Sequence, residues 1–330
     1  MTDLQYSFNA YLIKNLYQNK IIKEHSGNIN SMDYSSDGTK LLTSGDDDLI
    51  VEYNFLPKKN ENVLKIVHSK IYGCVHALYT KNNDEIVFCG KFDYRIMIMS
   101  LKKENFVCNL FGHKGKITSM NVDRNYNYLL STSNDYQTFL WNLTKKTCVR
   151  AFSFSLYATF DSRGEIICQA KLEETDSSPK ESVIILYDKD TIAISTNELK
   201  KFPNIRGEVK EIKIPNSGEF IAALQNYRLY IIDCKTNKQK LIIALEPEPI
   251  YMLNVFDISP DCEFIVVGNE FGQVEFWNFQ DKNSVMSKPY HITGCHAMKF
   301  NPVYMQIATA SEVVILLEPN FEGKPIHSLI

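Results

Sequence analysis

The chain repeats itself at intervals of roughly 45 residues, and this period restricts its possible folds more than any other feature. The two clearest copies begin at His25-Ser-Gly-Asn-Ile-Asn and His113-Lys-Gly-Lys-Ile-Thr, both of the form His-x-Gly-x-Ile. Asp47 lies 22 residues and Tyr53 lies 28 residues after His25; Asp135 and Trp141 stand at the same distances from His113. The run that ends on the aromatic recurs in worn form as LIVEYN (Tyr53), RIMIMS (Met99), TFLWN (Trp141), VIILYD (Tyr187), LYIIDC (Ile232), VEFWN (Trp277) and VVILLEP (Leu317). Successive anchors are 46, 42, 46, 45, 45 and 40 residues apart, so seven units fill the chain.

Each unit breaks into short strands. The first reads INSMDYS, turn SSDG, KLLTSG, an acidic turn, then LIVEYN. The sixth reads LNVFDIS, PDC, EFIVVGN, EFG, QVEFWN. These runs are rich in Ile, Val, Phe and Tyr, with Gly, Asn, Asp and Pro at the breaks. Strands of this size at this period predict an all-β chain: a seven-bladed β-propeller of the WD-repeat kind, one domain over residues 1–330. Closure requires a strand from the other end of the chain in the last blade, and residues 16–23 (LYQNKIIK) are placed to supply it. Residues 1–15 form an extension with weak helical character.

Composition narrows the function. With 44% hydrophobic residues a chain of 330 can bury a large core, and a net charge of -3 with scattered signs gives no reason to favour nucleic acid. The N-terminus lacks a basic start followed by a long apolar run, and the most apolar window, Leu241 to Phe256, is broken by Glu246, Pro247, Glu248 and Pro249. The expectation is a soluble intracellular protein with no membrane partner. Eight dispersed cysteines with no CxxC pair read as reduced and structural, not as a zinc set.

The marked residues invite a comparison with catalysis. His113, Asp135, and Ser131 or Ser133 are the types of a Ser-His-Asp nucleophilic site. The repeat accounts for them without chemistry: the His bridges the turn carboxylate and a strand hydroxyl, which meets the indole of Trp141. The same reading covers His25, Asp47 and Tyr53 in the first unit, where a phenol ends the network, and takes Trp277 as another member of this class. No GxGxxG, GxxxxGK[ST] or HExxH run occurs, so no enzyme activity, cofactor or metal is expected. His291 and His296 are a close pair without supporting ligands. The polar segment 171–181 (KLEETDSSPKE) falls between the second and third strands of unit four and reads as a solvated loop, with Ser178-Pro179 as a phosphorylation candidate.

Three stretches carry a closer likeness. SGDDDLIVEYN (44–54), HSKIYGCVHALYT (68–80) and KFNPVYMQIATAS (299–311) resemble the Swd-two family of WD-repeat subunits. The match rests on the Asp-rich turn, on Ser69, Lys70, Tyr72 and Gly73, and on Phe300, Asn301 and Pro302. The resemblance is close in units one to three and seven, while units four and five diverge. It implies a non-catalytic nuclear scaffold of a COMPASS-type histone-lysine methyltransferase complex, of a protein phosphatase type 1 complex, or of the cleavage and polyadenylation machinery in transcription termination. The implied partners are short linear segments of a methyltransferase catalytic subunit or of a phosphatase-targeting or polyadenylation scaffold, with the polymerase tail as a further candidate. The alternative is an adaptor of another class: a ubiquitin-ligase substrate receptor, or an RNA-processing or translation scaffold. Exposed Tyr and Arg are common interface anchors, so Lys70, Tyr72, Asp93, Tyr94, Arg95 and Tyr136, beside the entries to units two and three, are the expected contact residues.

Overall fold

The computed structural model describes residues 8–54, 63–70, 73–80, 83–123, 125–173, 181–189, 198–202, 205–244, 252–279, 283–321 and 324–325. Among the described residues seven antiparallel sheets follow one another, six with their strands in consecutive order and the last completed by the N-terminal strand, and the fold is an all-β seven-bladed propeller. The backbone divides into two compact units: residues 1–79 with 250–330, and residues 80–249.

The first unit holds blades one, six and seven. Blade one consists of Ile29–Tyr34, Lys40–Gly45, Leu49–Asn54 and Val63–His68. Blade six consists of Leu253–Ile258, Phe264–Asn269, Gln273–Asn278 and Ser284–Pro289. Blade seven takes Ala297–Phe300, Ile307–Ala310 and Val314–Phe321 from the C-terminal end. Its fourth strand is Leu16–Ile22, antiparallel to Val314–Phe321 from Leu16↔Pro319 to Ile22↔Val314. The extension before that strand is anchored. Ala10–Lys14 is a short helix whose first turn is capped by Asn9, which accepts from the Leu12 amide at 2.9 Å. Phe8, Leu12, Ile13 and Leu16 join the apolar core of blades six and seven, and Phe8 meets Phe300 edge to face with ring centroids 5.3 Å apart.

The second unit holds blade three (Ile117–Val122, Tyr128–Ser133, Gln137–Asn142, Thr147–Ser153) and blade four (Ser155–Phe160, Ile166–Glu173, Glu181–Asp188, Glu198–Lys201). It also holds blade five (Glu211–Lys213, Phe220–Leu224, Arg228–Asp233, Gln239–Ala244) and three strands of blade two: Glu85–Cys89, Ile96–Ser100 and Asn105–Leu110. Ala77–Tyr79, at the end of the first unit, is the inner strand of blade two in the strand order.

The burial pattern explains why these runs form blades. Second and third strands are buried on both faces, as in Ile86-Val-Phe-Cys89 and Ile96-Met-Ile-Met-Ser100, so their sequences are continuous apolar runs. Outer strands such as Val63–His68 alternate, with Leu64 and Ile66 exposed. Neighbouring blades are latched by buried and half-buried polar side chains on the inner strands. Asp33 accepts from the Tyr79 amide at 3.0 Å, Asp257 from the Phe300 amide at 2.7 Å, and Asn121 donates to the Ala158 carbonyl at 3.0 Å.

One expectation needs correcting. The segment 171–181 is not wholly a loop, because pairing continues through Lys171↔Val183, Leu172↔Ser182 and Glu173↔Glu181. Antiparallel hydrogen bonding extends the hairpin outward for as long as two backbones run together, whatever the side chains. Ser178 and Pro179 lie outside the described residues. All eight cysteines are free, with Cys74, Cys89, Cys168 and Cys295 buried.

Candidate functional site

The His, Asp and hydroxyl residues of blade three form one chain. His113 Nδ1 lies 3.2 Å from Asp135 Oδ2, and its Nε2 lies 2.8 Å from Ser131 Oγ. The Trp141 indole donates to that same hydroxyl at 2.9 Å. Of the two candidate serines Ser131 is the member; Ser133 accepts from the Asp135 amide at 3.2 Å. Asp135 also takes the Lys114 amide at 2.8 Å and the Gln137 amide at 3.0 Å, so one carboxylate fixes both the blade entry and the hairpin turn. Burial would push the Asp135 carboxyl up, but these amides and His113 outweigh it and hold the pKa below the ordinary carboxylate value. Burial pushes His113 down against the pull of Asp135.

Blade one repeats the arrangement with different end groups. His25 Nδ1 sits 3.0 Å from Asp47 Oδ1, and Nε2 sits 2.8 Å from Thr43 Oγ1, a threonine where blade three has serine. Asp47 takes the Ser26 amide at 2.8 Å and the Leu49 amide at 3.2 Å. Burial acts to raise its pKa; His25 and the Ser26 amide overcome that and leave the carboxyl lowered. Tyr53 is fully buried beside Thr43; burial drives its phenol far up, with the threonine opposing.

Trp277 departs from this pattern. Its indole donates to Glu275 Oε2 at 3.3 Å on the same strand, and it belongs to no His–Asp chain. Blade six carries no histidine at the corresponding entry, so its indole turns to the nearest carboxylate.

A third histidine joins the pattern where the sequence did not suggest it. His291 Nε2 lies 3.0 Å from Thr309 Oγ1, 18 residues on, the same step as His25 to Thr43 and His113 to Ser131. That step was the available signal; the displaced glycine, His291-Ile-Thr-Gly294, hid it. In blade seven Thr309 pairs Ile315 and Ile307 pairs Leu317, a hairpin two residues shorter than in blade three, and the turn aspartate has no counterpart there. His291 Nδ1 has no hydrogen-bond partner among the described residues, and burial with the charge of His296 lowers its pKa to about 4. Among the described residues no cluster of His, Cys, Asp or Glu could hold a metal ion.

Ser131 has the neighbours of a nucleophile without its access. It is fully buried and already holds an indole donor, so no substrate carbonyl can approach it. The accessible chemistry lies at the rims of the blades. In a four-stranded antiparallel blade, the turn between the second and third strands and the link entering the next blade share one edge. Along that edge the second unit exposes Phe92, Phe111, Tyr136 and Phe154. Arg95 forms an ion pair with Asp93 at 2.5 Å, and its guanidinium lies 5.3 Å from the Phe111 ring centroid. Tyr94 and Tyr136 occupy turn positions with φ of 56° and 57°, which set their side chains on rigid backbone. Lys70 is exposed and belongs to the other unit; Tyr72 lies outside the described residues. Around it, the Gly73 amide donates to the Ser69 carbonyl at 2.6 Å, and the Ser69 hydroxyl donates to the Gly73 carbonyl at 2.8 Å. The structure therefore joins Asp93 and Arg95 and adds Phe92, Phe111 and Phe154, which the sequence reading passed over because an isolated exposed aromatic has no period. No helix among the described residues is long and apolar enough to cross a membrane.

Comparison with known proteins agrees with this architecture. The family model described as "WD domain, G-beta repeat" matches residues 17–54 and 104–142. Each match starts in the outer strand of one blade and runs through three strands of the next, and the two blades reached are those with a complete His–Asp chain. "WD repeat-containing protein 82" of Drosophila melanogaster is 26% identical over 310 residues, which is 88% of this chain and 90% of that protein. "Set1 complex component swd2" of Schizosaccharomyces pombe is 26% identical over 171 residues, half of this chain and 46% of that protein. "Guanine nucleotide-binding protein subunit beta" of Zea mays is 21% identical over 240 residues, 69% of this chain and 61% of that protein. Blade count and strand order make the chain a seven-bladed β-propeller, with WD-repeat sequence matched at residues 17–54 and 104–142.

Proposed function

We propose that this chain is a non-catalytic adaptor subunit of a Set1-type histone-lysine methyltransferase assembly in the nucleus. The observation that carries the adaptor reading is the division of its polar chemistry. The His–Asp–Ser chain is sealed inside the blade, while Phe92, Phe111 and Tyr136 stand exposed at its rim, with the half-buried Arg95 guanidinium against the Phe111 ring. Anchors already held in place lose little freedom when a partner segment docks, which favours binding of short linear segments. The assembly is suggested by similarity to a Set1 complex component and by the Ser69-Lys-x-Tyr-Gly73 and Phe300-Asn-Pro302 stretches.

The test is affinity purification of the tagged full chain from nuclear extract with mass spectrometry. Recovery of a SET-domain methyltransferase supports the reading, together with its loss when Arg95 is changed to Glu and Tyr136 to Ala. Recovery of phosphatase type 1 or polyadenylation subunits alone would replace the Set1-type assignment while keeping the adaptor role. Recovery of ubiquitin-ligase or translation components in their place would overturn the nuclear reading, as would a fluorescent fusion excluded from the nucleus.

A further inference from the structure

A cavity of about 350 Å³ opens in the second unit between blades three and four, with Phe154 of the exposed edge at its mouth. Its inner wall is polar. Gln169, on the second strand of blade four, is 2% exposed and lines the cavity, yet its Nε2 has no hydrogen-bond partner among the described residues. A buried amide donor without an acceptor costs stability, and at a cavity wall it can meet an acceptor that water or a ligand brings. Around it stand Phe152 and Tyr187, nearly buried, with ring centroids 5.7 Å apart. The mouth is formed by Phe154, 45% exposed at φ 58°, with the Lys171 ammonium 5.8 Å from its ring centroid. Arg150 adds a second cation at the rim, and Glu198 is the one carboxylate among the described lining residues.

These features select a ligand. The base offers a hydrogen-bond donor, so the occupant brings an acceptor. The walls are aromatic, so its body is partly apolar. Two cations against one carboxylate leave the rim positive on a chain whose net charge is -3, so the occupant carries negative charge. The volume accommodates one or two side chains with their backbone. We propose that this cavity receives an acidic peptide segment of a partner protein, its carboxylate between Arg150 and Lys171 and a carbonyl or carboxylate oxygen accepting from Gln169. The proposal deepens the adaptor reading and rests on it only in taking the ligand to be a protein segment.

An array of short peptides, in which acidic, basic and apolar residues are scanned through every position, is probed with the full-length protein. Retention on peptides carrying Asp or Glu next to an apolar residue is expected. Gln169→Leu and Lys171→Glu should each weaken the strongest of these by about tenfold or more in solution titration, while Lys14→Ala, at an exposed lysine of the other unit, leaves it unchanged. The array contains no nuclear complex, so its outcome is independent of the Set1-type assignment. Retention of no acidic peptide, or retention indifferent to both cavity variants, overturns the proposal; so does inorganic phosphate or RNA binding in place of peptide with the same sensitivity. Thermal melting guards against misfolding: Gln169→Leu should not lower the melting temperature, since no group among the described residues accepts from that amide. A drop of several degrees would make Gln169 a structural residue and sink the assignment.

Discussion

The indole of Trp141 donates to the same Ser131 hydroxyl that His113 reaches from the other side, at 2.9 and 2.8 Å. A hydroxyl held between a ring nitrogen and an indole is a strut, and the carboxylate behind the histidine anchors it. Changing Asp135 to Ala removes an acceptor from two backbone amides and from His113. The expected loss is about 1–3 kcal/mol in urea unfolding, with partner capture retained at low temperature. Capture lost from a variant with undiminished stability would contradict a bracing role.

Acid should weaken the fold in two stages. His291 has its folded pKa lowered to about 4, and His113 is lowered too, so below the ordinary histidine value the unfolded chain binds protons that the folded chain refuses. Stability therefore rises with pH across this window and is lost as pH falls from about 6.5 towards 4. Asp47 and Asp135 are lowered, so their contribution is present above the ordinary carboxylate pKa and is lost below it. His291→Gln should flatten the first stage by on the order of 2–3 kcal/mol while leaving the second in place, measured by chemical denaturation across pH.

Gly272 has φ of 76°, and a β-carbon there would press on the carbonyl oxygens of His291 and Thr293. Gly272→Ala combines left-handed strain with a backbone clash and should cost about 2 kcal/mol or more. An unchanged melting temperature would show that this turn has room to move.

Removing residues up to Ile22 strips the partner from Val314–Phe321 and leaves its edge bare. The truncated chain should aggregate or elute in the void volume of a sizing column, because an unpaired strand invites pairing with another copy. A monomeric truncation with an intact melting transition would be the contrary result.

Much of the fold was legible in the spacing of a few residues. The two His-x-Gly starts and the aromatic strand ends carry the period, and apolar strands of fixed length can bury both faces only between neighbouring blades. The bracing chains were legible for the same reason: His25–Asp47 and His113–Asp135 keep one offset, and the structure gives each pair one geometry. His291 was hidden because one added residue moved its glycine, and Trp277 misled because an indole at the right offset still needs a histidine across from it. The surface was the least readable part. Arg95 over Phe111, and Gln169 beneath Phe154, are juxtapositions between strands and blades, and no linear pattern encodes them. Asn301, singled out by family likeness, has a physical role of its own: it donates to the Gly38 carbonyl at 2.8 Å and accepts from Val303 and Tyr304.

The pairing of Leu16–Ile22 with Val314–Phe321 joins segments about three hundred residues apart. On a ribosome Leu16–Ile22 is thus made long before Val314–Phe321, and it waits for that partner while the strands between them are synthesised. Until then Leu16 and Ile22, both buried in the finished blade, are exposed on a nascent chain. Stalling of translation before Val314 would leave that apolar strand without its partner and open to misassembly.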